Sequence, residues 1–260
     1  MTSKTNRISV PSSKGLRLAA LAKKRREDES YSGYCKIGSF HEGKYDCDYV
    51  SPYTKSASNV DADYFLLLQD WSSKSLLEKE PASEIVIEWG HDPTLPTNIN
   101  LKGLLCANLG LCLSDVYATN LFPFIKGGGA SSRIPTSDLN RAAKEYALPQ
   151  IAIVRPKIVV CFGLTTANAI RNAIDSSLPP YKKISTAIGE YFTWEGIHFS
   201  VQAHPGYFGQ MNRNRVKPDK GGLQQDSNLP KPSRVSKDWA KMKNLLTGEN
   251  QTRSSLLCDI

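Results

Sequence analysis

The sequence contains no run approaching the roughly twenty apolar residues needed to cross a bilayer, and no basic-then-apolar leader of the secretory kind. Its six cysteines (Cys35, Cys47, Cys106, Cys112, Cys161, Cys258) include no CxxC pair and no cysteine–histidine cluster at zinc spacing. Cys161 lies inside the apolar run IVVCFG and reads as a small buried hydrophobe. The expectation is a reduced, soluble, cytoplasmic protein with no metal and no cofactor. Also missing are a GxGxxG fingerprint and a phosphate-loop lysine, which argues against a small-molecule α/β enzyme built around a nucleotide.

Acidic residues are absent from the first 26 positions, where eight basic ones stand. Nine more Lys and Arg fall between Arg213 and Lys243, opposed by Asp219, Asp226 and Asp238. The whole chain of 260 residues carries a formal charge of +8. Basic ends around a near-neutral middle fit a polyanion partner; a solvated tail and a soluble face fit equally. The composition divides the chain into a basic flexible arm (1–30), within which GLRLAALAKKRRE (15–27) reads as a short basic helix, one α/β domain (31–248) and a short tail (249–260).

Hydrophobic residues make up 40% of the chain, enough for a packed core. Strand candidates are YFLLLQ (64–69), DVYATNLF (115–122), PKIVVCFG (156–163) and HFSVQAHP (198–205), with EYFTW (190–194) as a further one before a Glu195-Gly196 turn. Helical segments lie between them (99–111, 137–154, 165–174) and a closing helix follows at 236–246. Alternation of this kind predicts a three-layer α/β/α sandwich with a central, mainly parallel four-stranded sheet.

Three of these strands end in chemistry-bearing groups: Gln69-Asp70, Asn120 and His204. In an open parallel sheet the strands' C-terminal ends share one edge, so a carboxylate, a carboxamide and an imidazole would converge there. Singly, each has an ordinary reading as a helix cap, a turn residue or a core histidine.

Here the sequence resembles the uracil-DNA glycosylase superfamily. QDW (69–71) is similar to its first motif, VYATNLFPF (116–124) to its second, and RIPTSDLNRAAKEYALPQIAIVRPKIVVCFG (133–163) to the helix, Arg-Pro turn and strand of its iron-sulfur branch. AHPGYFGQMNR (203–213) is similar to the His-Pro motif that opens the DNA-intercalating loop, and the motifs keep the superfamily's order over about residues 60 to 213.

The resemblance implies a monofunctional DNA glycosylase acting on double- or single-stranded DNA with a flipped pyrimidine, in base-excision repair or antiviral defence. A monomer is expected, with no membrane partner. Asp70 and His204 are implied as catalytic, and Gln69, Trp71, Ser72 and Asn120 as substrate-binding. Ser73, Lys126, Arg133, Pro205, Gly206, Tyr207, Phe208 and Arg213 are implied as DNA-binding. For the loop KGGGASSR (126–133), strand binding and a plain linker both remain open. The rival from another class is a noncatalytic nucleic-acid-binding module that keeps the fold.

Two departures bear on specificity. Classical members follow the first motif's Asp with Pro-Tyr, and that Tyr closes the pocket beside the thymine methyl position; here Trp71 and Ser72 stand instead. Either the wall admits a 5-substituent, as on a hypermodified cytosine of some phage DNA, or Trp71 fills the same space. The iron-sulfur branch places a Cys after its Thr-Asn strand, where this chain reads LFPFIK, so no cluster is expected. The base-stacking wall should come from EWGHDPTLPTNIN (88–100), with Trp89 as its aromatic, while His41 and His91 read as surface histidines.

Overall fold

A computed structural model describes residues 12–214 and 233–247. Its elements run α1 (Ser13–Glu27), β1 (Tyr64–Asp70), α2 (Lys74–Lys79), α3 (Glu84–Trp89), α4 (Pro96–Leu109) and β2 (Tyr117–Phe122). Next come α5 (Thr136–Ala142), a π turn (Ala143–Ala147), α6 (Leu148–Val154), β3 (Ile158–Phe162), α7 (Leu164–Ile174) and α8 (Ile184–Gly189). The chain continues through β4 (Phe192–Trp194), β5 (Ile197–Gln202), α9 (Tyr207–Asn214) and α10 (Arg234–Thr247). The π turn precedes Pro149, which cannot donate to the carbonyl four residues back, so the helix widens there instead of breaking.

The sheet order is β2-β1-β3-β5-β4, parallel except for β4, which pairs antiparallel with β5. It therefore has five strands where four were expected. The fifth is the short EYFTW segment, turned back by Glu195 and Gly196 at φ 49° and 80°, the positive pair that suits a two-residue hairpin. β2 and β3 flank β1 on opposite sides, so the chain reverses direction across the sheet at β1, and ligand crevices form at such a switch point.

Strand side chains alternate between two cores. Phe65, Leu67, Val159, Cys161, Phe199 and Val201 face a layer that includes Leu18 of α1, Ala142 of α5, Ile151 of α6 and Ile170 of α7. Leu66, Leu68, Ala118, Ile158 and Val160 face Leu101 and Leu105 of α4 and Trp239 and Met242 of α10. Both faces are thus covered, and full burial of side chains such as Leu66 and Leu67 contributes about 1.5–3 kcal/mol each.

The N-terminal segment departs from the expected flexible arm. The short basic helix read at 15–27 is present as α1, capped by Ser12, but it is docked on the body, with Leu18, Ala22 and Arg25 buried. Arg25 donates to Asp46 at 2.8 Å and to the carbonyls of Cys47 and Tyr49 at 3.0 Å each; Lys14 reaches Asp61 and the carbonyls of Val60 and Val154. These cations are spent on internal contacts. The basic residues at 1–11, the stretch 215–232 and the tail lie outside the described residues. Among the described residues no helix is long and apolar enough to cross a membrane.

Candidate active site

After five buried residues, β1 ends in the half-buried Gln69 and Asp70. Strand register pairs Leu68 with Asn120 and Asp70 with Phe122, so Asn120 lies one strand across and two rungs deeper than Asp70, on the same face of the sheet. His204 follows β5 by two residues. All three side chains line one cleft of about 1330 Å³, together with Gln69, Trp71, Ser72, Lys126 and Arg133.

Asp70 is held at both oxygens. The Gln69 Nε2 donates to Oδ1 at 2.9 Å, and Lys126 Nζ stands 2.8 Å from Oδ2. Lys126 differs from its expected place on an exposed strand-facing loop. Its side chain is 6% exposed, because Lys74 N–H donates to the Lys126 carbonyl and Ser75 N–H to that of Gly128, folding the loop inward. Gly128 has φ 68°, a left-handed conformation that glycine adopts without strain, so this bend favours glycine.

Asn120, 1% exposed, accepts a 2.6 Å hydrogen bond at Oδ1 from Ser51 Oγ. Ser51 in turn accepts from Tyr53 N–H, which leaves its own proton for Asn120. The carboxamide is thereby oriented before any ligand arrives, with Nδ2 left to donate.

Gly206 N–H donates to His204 Nδ1 at 3.0 Å, which puts the proton of a neutral imidazole on Nε2. The ring is open at the cleft surface, yet desolvation by the surrounding protein lowers its pKa below the ordinary 6.5, opposed by the Asp70 charge. Near neutral pH the site therefore offers an uncharged Nε2–H donor.

Trp71 is anchored: its Nε1–H donates to Gly90 O at 2.7 Å and its ring packs edge-on against Tyr45. Gly90 sits at φ 73°, where a Cβ would stand 1.7 Å from Pro52 O. Beyond Trp71 the wall continues as Ser72, a small hydroxyl side chain.

Several expectations change. Ser73 is fully buried in the pairing with Lys126, its hydroxyl unpartnered, and presents nothing to a ligand. Arg213 is clamped to Asp238 by bonds of 2.6 and 2.8 Å that tie α9 to α10, so it is not a free cation. Pro205 and Gly206 are buried beneath the turn they make, with Pro205 O accepting from Asn100. Tyr207 and Phe208, 64% and 72% exposed, project from the start of α9. Trp89 is exposed under Lys102 and does not line the cleft.

The 88–100 segment supplies a different wall. His91, expected at the surface, is 3% exposed and stacks on Tyr53 with centroids 4.8 Å apart. Its Nδ1 lies 3.0 Å from Ser56 Oγ and 3.2 Å from Trp89 O; Ser56 gives its own proton to Tyr53 O and the Trp89 carbonyl can only accept, so Nδ1 carries the proton and Nε2 is a buried acceptor without a partner among the described residues. Burial pushes the His91 pKa down. Tyr53 donates to Asn98 Oδ1 at 3.0 Å, and Tyr53, His91 and Asn98 all line the cleft. Sequence reasoning missed Ser51 and Tyr53 because they precede the sheet in a segment without periodicity.

Among the described residues no group of three or more His, Cys, Asp or Glu side chains could hold a metal ion. The described donor set therefore does not fit an iron-sulfur cluster.

A braced carboxylate, a neutral imidazole with its Nε2–H outward and an oriented carboxamide can together hold a polar heterocycle and stabilise opposite charges on its two sides. No family model matches the chain. A type-4 uracil-DNA glycosylase from Archaeoglobus fulgidus is 28% identical over 90 residues, which are 35% of this chain and 44% of that protein. This match supports a distant relationship to the uracil-DNA glycosylase superfamily. The five-stranded, mostly parallel sheet between helical layers is consistent with that superfamily's α/β fold. The chain spans less than half the length of the relative it matches.

Proposed function

We propose that the protein is a DNA glycosylase that hydrolyses the N-glycosidic bond of a flipped-out pyrimidine and leaves an abasic site. The observation that carries this reading is the convergence of Asp70, Asn120 and His204 in one cleft at the switch point of the sheet.

Cleavage of the base–sugar bond passes through an oxocarbenium-like state, with positive charge on the sugar and negative charge on the departing base. Asp70 faces the cation and orients the attacking water. His204 donates Nε2–H to the base oxygen as it gains charge; a neutral donor in a fixed place needs no reorganisation in the transition state. Asn120 reads the Watson–Crick edge, its amide pre-set by Ser51. A stacked base is unreachable, so the enzyme extrudes it, and Tyr207 with Phe208 occupies the gap. Arg133 and the protein's basic excess supply salt-sensitive phosphate contacts.

The substrate class is uracil or a 5-modified pyrimidine, including hypermodified cytosine. One feature favours the larger base. Trp71 is held by Gly90 and Tyr45, and the wall beside it is the small Ser72.

The test is incubation of the protein with oligonucleotides carrying uracil, 5-hydroxymethylcytosine or its glucosylated form, followed by alkaline cleavage of abasic sites. Release of at least one of these bases is expected. Uracil release assigns the protein to base-excision repair, and release of the modified cytosines alone assigns it to defence against modified foreign DNA. Binding of every oligonucleotide with release from none would overturn the enzyme reading and leave a DNA-binding module.

A further inference from the structure

Base release as described makes no use of Lys126. Its ammonium is nevertheless the most constrained cation in the cleft, 2.8 Å from Asp70 Oδ2 and 2.8 Å from Ala130 O, with its third N–H given to no described residue. As a spectator it would work against the reaction, because a fixed positive charge beside Asp70 offsets the field that stabilises a cationic sugar. A phosphate-binding role is equally poor, since the side chain is buried and turned into the cleft. Its backbone is pinned to α2 through the Lys74 N–H bond to the Lys126 carbonyl, at 2.9 Å, so the amine is delivered to one place.

That place is where a carbonyl would form. On the reading that this site releases a base from DNA, the product's C1′ lies on the Asp70 side of the cleft, one water molecule away from the carboxylate that oriented the attack. It exists in equilibrium between the ring-closed hemiacetal and the open-chain aldehyde. From these positions we infer that Lys126 is a Schiff-base nucleophile that gives the site a second activity, cleavage of the DNA strand at abasic sites.

The step balances without any outside reagent. A proton passes from Lys126 Nζ to Asp70 Oδ2 along their hydrogen bond. The free amine adds to the C1′ aldehyde, an N–C bond forms, and an amine proton moves to the former carbonyl oxygen. Asp70 returns its proton to that hydroxyl, water leaves, and the iminium remains. Loss of a C2′ proton to the Asp70 carboxylate sends the C2′–H electrons into the iminium system and expels the 3′ phosphate. Water then hydrolyses the imine, which frees Lys126 and leaves an unsaturated aldehyde on one fragment and a 5′ phosphate on the other. No atom changes its overall oxidation balance.

The experiment supplies the product directly, so that it does not depend on base release. Full-length protein is mixed with an oligonucleotide containing a preformed abasic site, and sodium borohydride is added to reduce any imine. The expected result is a covalent protein–DNA adduct on a denaturing gel, with the remnant mapped to Lys126 by mass spectrometry. Lys126→Arg, which keeps a cation beside Asp70 and cannot form the imine, should lower adduct yield at least tenfold. An adduct mapped elsewhere, one undiminished in Lys126→Arg, or none at all while the wild-type protein shifts the same oligonucleotide would overturn the inference. Base release without an adduct sinks the lyase step alone; an adduct without base release on intact substrates sinks the glycosylase reading alone.

Discussion

Ser51 Oγ donates to Asn120 Oδ1 across 2.6 Å, in a fully buried contact between residues 69 positions apart. It joins a segment that precedes the sheet to the floor of the cleft and fixes which way the carboxamide points. Ser51→Ala leaves Oδ1 without its partner, a loss of about 1–3 kcal/mol for a buried group. In the glycosylase account the amide then turns freely, and kcat/KM for base release falls roughly tenfold or more. Steady-state kinetics on the released base checks this, and an unchanged kcat/KM would remove Ser51 from the recognition apparatus.

Stability should depend on pH through the two lowered histidines. His91 and His204 both have folded pKa values below the ordinary 6.5 of the unfolded chain. Between those values the unfolded state binds more protons, so stability is fully present above about pH 6.5 and is lost as pH falls towards the folded pKa. His91, buried, is the larger contributor, at most about 1.4 kcal/mol per pH unit. Thermal midpoints recorded from pH 8 to pH 5 should drop across this window. His91→Phe should flatten the slope whatever it does to the midpoint at pH 8.

A Cβ on Gly209 would stand 2.2 Å from the His204 carbonyl oxygen, which is backbone and cannot step aside. Gly209→Ala should therefore displace the His204 turn, and a misplacement of about 1 Å costs on the order of 100-fold in rate. Gly103 supplies the contrast. It sits exposed within α4 with nothing within 4 Å of an added Cβ, so Gly103→Ala should stabilise by about 0.5–1 kcal/mol with activity unchanged. Equal loss of activity in both variants would contradict the geometric argument.

Ser72 lines the cleft beside the anchored Trp71, where the glycosylase account puts the wall that meets a 5-substituent. Ser72→Tyr should suppress release of 5-substituted cytosines far more than release of uracil. A side-by-side rate comparison on the two substrates is the check, and an equal fall on both would mean that this wall does not gate the base.

The sheet was legible because burial on both faces forces unbroken apolar runs. Phe65 to Leu68 and Val159 to Phe162 could hardly be read otherwise, and once those strands are parallel, Asp70, Asn120 and His204 share an edge. What local pattern could not show were partners chosen over distance. Arg25 reads as one more cation of a basic arm until Asp46 closes on it, and Arg213 as a DNA contact until Asp238 does. Lys126 belongs to a glycine-rich stretch that looks like an open loop, and its inward fold depends on strand-like pairing with Ser73. His91 is hidden only because Tyr53, from another segment, stacks on it. β4 was marked by its turn, but three residues carry too little periodicity to count as a strand without β5 beside them.

The central claim is that the carboxylate held between Gln69 and Lys126 drives base release. Single-turnover release from the best substrate by the wild-type protein and by Asp70→Asn, with folding matched by thermal midpoint, tests it most directly. The account predicts a fall of about 100- to 1,000-fold in the asparagine variant with DNA binding retained. A release rate within a few fold of wild type would contradict it.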